Sequence, residues 1–399
     1  MQLRKPETMF INHLKTALIF CFVLLMFFNL SCGSAPVDTG AGEDIPLKEH
    51  EAPDPKDSPG LEVPDDVNQE EDGLDKPAEP AEEPESPADD EPGELTADMI
   101  KRQPNELGEI MILMYHEIGE PEGEWRRTPD NFRRDLETLY QEGYRAVSMT
   151  DMVRGEIDIP AGTSPVVFTF DDANRGNFNY IEKDGELIID PDCAVAILEA
   201  FYEENPDFGL EATFYIYYPN PFRQPEYIEK KLNYLVERGF EIGNHTYSHA
   251  NLSRLTREEV QKELAMHVKS TQAYLPGYPV NSLALTYGIF PQDPQLAVQG
   301  SYQDTSYYHE AVLLVGANPA PSPYHKNFNP SRLPRIRGSE MNTDGVGLYD
   351  WLEVLENNPH RRYVSDGDSR TVTAPESLKD RLDQERAADL IVRFYENQE

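Results

Sequence analysis

The chain has 399 residues and carries 73 Asp and Glu against 35 Lys and Arg, a formal net charge of −38. That balance excludes a nucleic-acid binder, which needs a basic face to displace counterions from phosphate. Of three cysteines only Cys193 lies in the body of the chain, which excludes both a disulfide-stapled scaffold and a thiolate zinc cluster.

The N-terminus holds Arg4, Lys5 and Lys15, followed by an apolar run over 16–28. This is the layout of an export signal covering 1–31, and the run is shorter than a membrane span. Ser31-Cys32 directly after it resembles the lipobox of bacterial lipoproteins, with Asn29 where a branched aliphatic residue is usual. The expected result is cleavage before Cys32, lipidation there, and attachment to a bacterial membrane outside the cytoplasm.

Residues 36–100 contain 23 Asp or Glu, 3 Lys and no Arg, so they carry −20 of the net charge, with 11 prolines. Such a segment buries too little apolar surface to offset its ordering entropy. Residues 32–104 are therefore expected to be a disordered, acidic, Pro-rich tether. A flexible coil of 65 residues spans roughly 45 Å, and like charges extend it. Residues 105–399 form the expected catalytic body.

Within the body, apolar strand-like runs fall at 109–115, 144–149, 165–170, 211–217, 240–244, 282–287 and 311–315. Helical patterns fall between them, at 131–142, 193–204, 225–238 and 256–274. Thr128-Pro129 supplies a cap with proline at the first helical position, and Thr256 with Glu259 fits a capping box. Alternation of strands and helices predicts an α/β fold with a parallel sheet or barrel. A further helix is expected over 375–395, and the stretch 173–191 is long enough for a lid or a substrate rim.

Two motifs carry chemistry. Asp171-Asp172 ends the run Val166-Val167-Phe168-Thr169-Phe170, and His245-Thr246-Tyr247-Ser248-His249 follows a run at 240–244. Alone, an Asp pair after a strand is usually a cap or turn, and a His pair is usually incidental. Both at the ends of strands is a different matter, because barrel enzymes carry their chemistry there. Two imidazoles four residues apart can face one point if the segment turns like a helix. One carboxylate and two imidazoles make a three-ligand set for a catalytic metal, with the other carboxylate free as a base.

At these residues the chain resembles the polysaccharide deacetylases, carbohydrate esterase family 4. Thr169-Phe170-Asp171-Asp172 is similar to that family's first motif, and His245 to His249 matches its second, His-(Ser/Thr)-x-x-His. Met114-Tyr115-His116-Glu117 is similar to the first strand of many members. The resemblance covers about residues 108–350 and implies a distorted (β/α) barrel of about seven strands. It implies that Asp172, His245 and His249 hold a divalent metal, zinc or else cobalt, nickel or iron, and that Asp171 is the general base.

The chain also departs from the family pattern. Ala173 stands where many members have Gly. The third motif is best represented by Leu285-Thr286-Tyr287-Gly288, with Thr286 at the usual Pro position and no Arg nearby. By resemblance the Tyr287 N–H stabilises the oxyanion, and Arg335 or Arg337 orients the base. The late Leu-x-His motif that supplies the general acid is not recognisable; His309, His325 and His360 are candidates, and Asp350-Trp351 a candidate sugar contact. These departures resemble the exopolysaccharide-modifying branch. The implied activity is removal of N-acetyl groups from a glucosamine-containing polysaccharide at the cell envelope. Two alternatives stand beside it: an O-acetyl (xylan-type) esterase using the same site, and a non-catalytic glycan-binding protein.

Overall fold

The computed structural model describes residues 95–396. The expected signal at 1–31, the lipidation site Cys32 and the tether through residue 94 lie outside the described residues. Ala97–Lys101, at the end of that expected tether, forms one helical turn capped by Thr96.

Nine strands make one curled sheet: β1 (Glu109–Tyr115), β2 (Tyr144–Ala146), β3 (Ser164–Phe170), β4 (Thr213–Ile216), β5 (Glu241–Asn244), β6 (Ser282–Ala284), β7 (Ala311–Leu313), β8 (Ala320–Pro321) and β9 (Ile336–Arg337). Seven of them follow the path β7-β6-β5-β4-β3-β1-β8, while β2 pairs with β3 and β9 with β1. All these pairs are parallel except β1 with β8. The strip 333–337 forms a seam: Leu333 bridges Leu313 of β7, and Ile336 pairs with Leu113 of β1. The expected distorted barrel is therefore present, and each of the seven apolar runs overlaps one of its strands.

Helices α1 (Pro129–Gln141), α2 (Ala194–Glu204), α3 (Ile228–Glu237), α4 (Arg257–Tyr274) and α5 (Leu348–Asn357) pack outside it. Their starts follow local chemistry. Thr128 Oγ1 accepts the Asn131 N–H, and the Thr256–Glu259 capping box is formed.

Strand alternation separates two cores. Met111, Leu113 and Tyr115 of β1, with Val166, Phe168 and Phe170 of β3, face the helices. Ile110, Ile112 and Val167 face inward and meet Tyr215, Ala284 and Leu313. Burying each such aromatic or branched side chain contributes about 1.5–3 kcal/mol. The alternation also aims the chemistry, because Asp171 continues the inward phase of Val167 and Thr169.

Two expectations are corrected here. Residues 375–395 are not a helix: Thr371–Pro375 pairs in parallel with Ile391–Tyr395. Glu376–Arg381 turns only as a short 3-10 stretch that stops at extended Leu382. The apolar residues instead close a small core of Leu107, Tyr324, Val372, Ala374 and Leu382. Trp351 is not a sugar contact either, because it is buried in the helix-side core and donates its N–H to Ala317 O at 2.8 Å.

Candidate active site

Asp171 is 1% exposed and Arg335 0%. The guanidinium meets the carboxylate side by side, Nη1 to Oδ1 and Nη2 to Oδ2 both at 2.7 Å. Arg335 also donates to Thr169 Oγ1 at 3.1 Å and to Leu314 O at 2.8 Å, and Tyr215 lies under it at 5.9 Å. Gly243 makes room for that tyrosine, since a Cβ there would lie 2.3 Å from the ring. Burial pushes the Asp171 carboxyl up, but Arg335 and His245 outweigh it and hold it below the usual carboxylate range. Arg337, the other expected orienting residue, points away: it pairs with Glu124 at 2.8 Å and covers the Trp125 ring.

Plain alternation would send Asp172 to the opposite face from Asp171. The backbone prevents this, because Asp172 and Ala173 take φ of +71° and +43°. Side chains rarely accept that region, and such strain collects at functional sites. The turn brings Asp172 over the barrel mouth, where it lines the same cavity as Asp171.

His245 and His249 do not lie on a helical turn. The segment is a bend, with Thr246 and His249 at φ of +59° and +57°. Thr246 steadies it by accepting the Ala250 N–H at 2.9 Å. His245 Nδ1 sits 2.8 Å from Ala284 O, so it carries the proton and Nε2 presents a lone pair. That Nε2 lies 3.4 Å from Asp172 Oδ1, and His249 Nε2 lies 3.1 Å from it. Both are close, but Asp172 Oδ1 is buried and has no hydrogen-bond donor. Electron-pair donors facing one another across about 3 Å repel unless a proton or a cation sits between them. Burial raises the Asp172 carboxyl, yet the two imidazoles outweigh it and hold it well below the carboxylate range. Burial lowers His245, and Asp171 with Asp172 pull it above its ordinary value.

The three ligand atoms lie within 4.8 Å of one another. One carboxylate and two imidazoles around an orphaned buried oxygen fit a divalent metal of the zinc, cobalt, nickel or iron type.

The bend is backed by two neutral histidines. His309 Nδ1 lies 2.7 Å from Ala297 O, so its Nε2 accepts from Asn244 Nδ2 at 3.2 Å. His267 Nε2 donates to Ile216 O at 2.9 Å. Burial pulls His267 down to about 3 and His309 to about 4. A depressed pKa contributes stability above the unfolded value near 6.5, lost as pH falls toward the folded value. Glu211, pushed up to about 7 by burial, works in the opposite direction, so the difference between variants is the clean measure. Chemical denaturation of His267→Gln between pH 6 and 4.5 is expected to show a pH slope flatter than wild type by about 1.4 kcal/mol per unit.

The cavity over Asp171 and Asp172 has a volume of about 570 Å³ and is also lined by His116, Glu117, Trp125, Asn174, Leu285, Tyr287 and Val315. Tyr287 is 59% exposed, has φ of +59°, and meets the His249 ring edge-on at 5.0 Å. The two backbone bonds of its turn, Gly288 to Leu285 and Ile289 to Thr286, leave the Tyr287 N–H unused.

None of the three histidines considered for the acid role reaches this cavity. His309 is in the core, while His325 and His360 line a separate cavity with Glu109, at the opposite end of β1. His116 does reach it. It follows Tyr115, which pairs with Phe170 immediately before Asp171, and its ring meets Trp125 at 4.8 Å. Burial holds His116 below its ordinary value, against the pull of Asp171 and Asp172. The signal for it was present in Met114-Tyr115-His116; the missing information was the register of β1 on β3. The 173–191 stretch supplies Asn174 to the cavity and ends in a hairpin, Tyr180–Lys183 with Glu186–Ile189.

Residues 158–301 match the family described as polysaccharide deacetylase. A chitooligosaccharide deacetylase of Bradyrhizobium sp. (strain ANU 289) is 27% identical over 133 residues, 33% of this chain and 50% of that protein. The chain thus spans about half the length of that curated relative. A solved polysaccharide deacetylase of Bacillus cereus is 18% identical, covering 59% of this chain and 66% of that one, with a TM-score of 0.44. A Streptococcus pyogenes deacetylase solved with acetate is 18% identical, covering 61% of this chain and 97% of that one, with a TM-score of 0.45. Asp171, Asp172, His245 and His249 all fall inside the matched residues, so the part of the chain that is similar to the polysaccharide deacetylases carries the buried carboxylate and the whole candidate donor set.

Proposed function

We propose that this protein is a metal-dependent hydrolase that removes N-acetyl groups from a glucosamine-containing polysaccharide at the cell envelope. The observation that carries the reading is the pairing of an orphaned Asp172–His245–His249 donor set with a buried, Arg335-held Asp171 in one cavity. A divalent metal, zinc by preference, supplies Lewis-acid polarisation of the acetyl carbonyl and a lower pKa for water.

The chain's own groups account for the rest. Asp171, kept ionised by Arg335, takes the proton of the attacking water. The Tyr287 N–H donates to the oxygen on which negative charge develops, a contribution of about 3 kcal/mol for a well-placed donor. His116 is the group positioned to hand a proton to the departing nitrogen. Its burial makes the imidazolium a stronger acid, at the cost of a smaller protonated fraction at neutral pH. The C–N bond breaks, and the products are acetate and a free amine.

The rim suits a sugar. Trp125 is 43% exposed beside the cavity, and its ring is fixed between His116 and Arg337. The departures from the family pattern favour the exopolysaccharide-modifying branch. The export signal and Ser31-Cys32 support a lipid-anchored location outside the cytoplasm.

The test is acetate release from N-acetylglucosamine oligomers by the zinc-loaded protein. Zinc bound without acetate would move the reading to the O-acetyl esterase, and no zinc binding would move it to the glycan binder. A second measurement isolates the acid. His116→Asn is expected to slow these oligomers by about 100-fold. It should slow 4-nitrophenyl acetate far less, because that phenolate leaves without a proton. Equal slowing of both would remove His116 from the role.

A further inference from the structure

Tyr287 borders two spaces. One is the cavity over Asp171 and Asp172; the other is an open cleft of about 600 Å³ lined by Asn251, Arg254, Leu255, Tyr287 and Ile289. The second is in the size range of small-ligand sites, about 300–1,000 Å³. The two meet at an exposed aromatic ring, so a chain lying across Tyr287 occupies both.

Arg254 stands out in this cleft. Its guanidinium makes no hydrogen bond or ion pair with any described residue. Arg257, three positions on, is by contrast tied to Asp293 at 2.8 Å. None of the cleft's lining residues is acidic, although the chain holds 73 acidic residues to 35 basic ones. The backbone beneath Arg254 is fixed. Leu252 is buried, and Asn251 Oδ1 accepts both the N–H and the hydroxyl of Ser253, at 3.1 and 2.7 Å. Thr286 Oγ1 donates to Ala250 O, fastening this loop to the turn that carries Tyr287. Arg254 thus lies five residues beyond His249 on one braced loop.

We propose that this cleft is a subsite for the sugar next to the one deacetylated, and that Arg254 makes it select a sugar bearing a carboxylate. A guanidinium matches a carboxylate in a two-bond fork, which a neutral hydroxyl cannot reproduce. The proposal rests on the glycan reading of the neighbouring cavity.

Binding and turnover test it separately. Dissociation constants are measured by calorimetry on the zinc-loaded protein for three tetrasaccharides, with acetate release followed in parallel. One contains N-acetylglucosamine alone; the second alternates it with glucuronate; the third alternates it with its lactyl ether. At least one carboxylate-bearing oligomer is expected to bind about three- to tenfold tighter than the neutral one. Whichever does so identifies the carboxylate's source. Arg254→Gln is expected to remove the preference, and Arg254→Lys to keep part of it. No preference for either acidic oligomer, or a preference that survives Arg254→Gln, overturns the subsite. A preference in binding without acetate from any oligomer leaves the subsite standing and removes the deacetylase reading.

Discussion

Asp171→Asn is expected to lower kcat for acetate release by about 1,000-fold while zinc content stays at that of the wild type. The size follows from general-base catalysis, typically 100- to 10,000-fold. The retained metal follows from geometry, since Asp171 faces Arg335 and Thr169, while Asp172 faces the histidines. Elemental analysis beside the rate assay separates the two carboxylates. Loss of zinc along with the rate would mean that Asp171 is a ligand. An unchanged rate would sink the base assignment.

The second large effect concerns stability. Arg335→Met is expected to destabilise the protein by about 3–5 kcal/mol, the cost of leaving a buried charge without its partner. For a body of this size that corresponds to a drop in Tm on the order of 5–10 °C. The same change removes the main force holding Asp171 ionised, so the acid limb of the pH–rate profile should move to higher pH. The depressed carboxyl contributes stability above its unfolded pKa near 3.9, lost as pH falls further, and Arg335→Met abolishes that contribution. The double variant Asp171→Asn/Arg335→Met should be more stable than Arg335→Met alone, because it removes both charges. Equal stability would mean that the unpaired Asp171 charge is not what destabilises Arg335→Met.

How far the fold was legible depends on the element. Strands buried on both faces, such as Ser164–Phe170, announce themselves as apolar runs, and their starts were found within a residue or two. Their ends were overrun where apolar residues continue past the last ladder bond: the run at 144–149 stops pairing at Ala146, and Ser148 then caps a short helix. The candidate metal ligands were readable because their motifs follow strands directly, Asp171-Asp172 after Phe170 and His245 to His249 after Asn244. Arg335 could not be told from Arg337, since the choice depends on which way a two-residue strand faces. His116 and Trp125 were passed over for a related reason. Their part in the cavity is set by strand register and loop path, which no local pattern in the sequence encodes.

The seam at 333–337 has a consequence for how such a site can be inherited. Arg335 is made 164 residues after Asp171, and His116 55 residues before it. The matched stretch, 158–301, holds neither of them and lacks the strand Glu109–Tyr115. A gene trimmed to that stretch would keep the recognisable signature and lose the counterion, the neighbouring imidazole and the centre of the sheet. The smallest unit that can be shuffled between proteins with its ionisation intact is therefore the whole ring from 109 to 337.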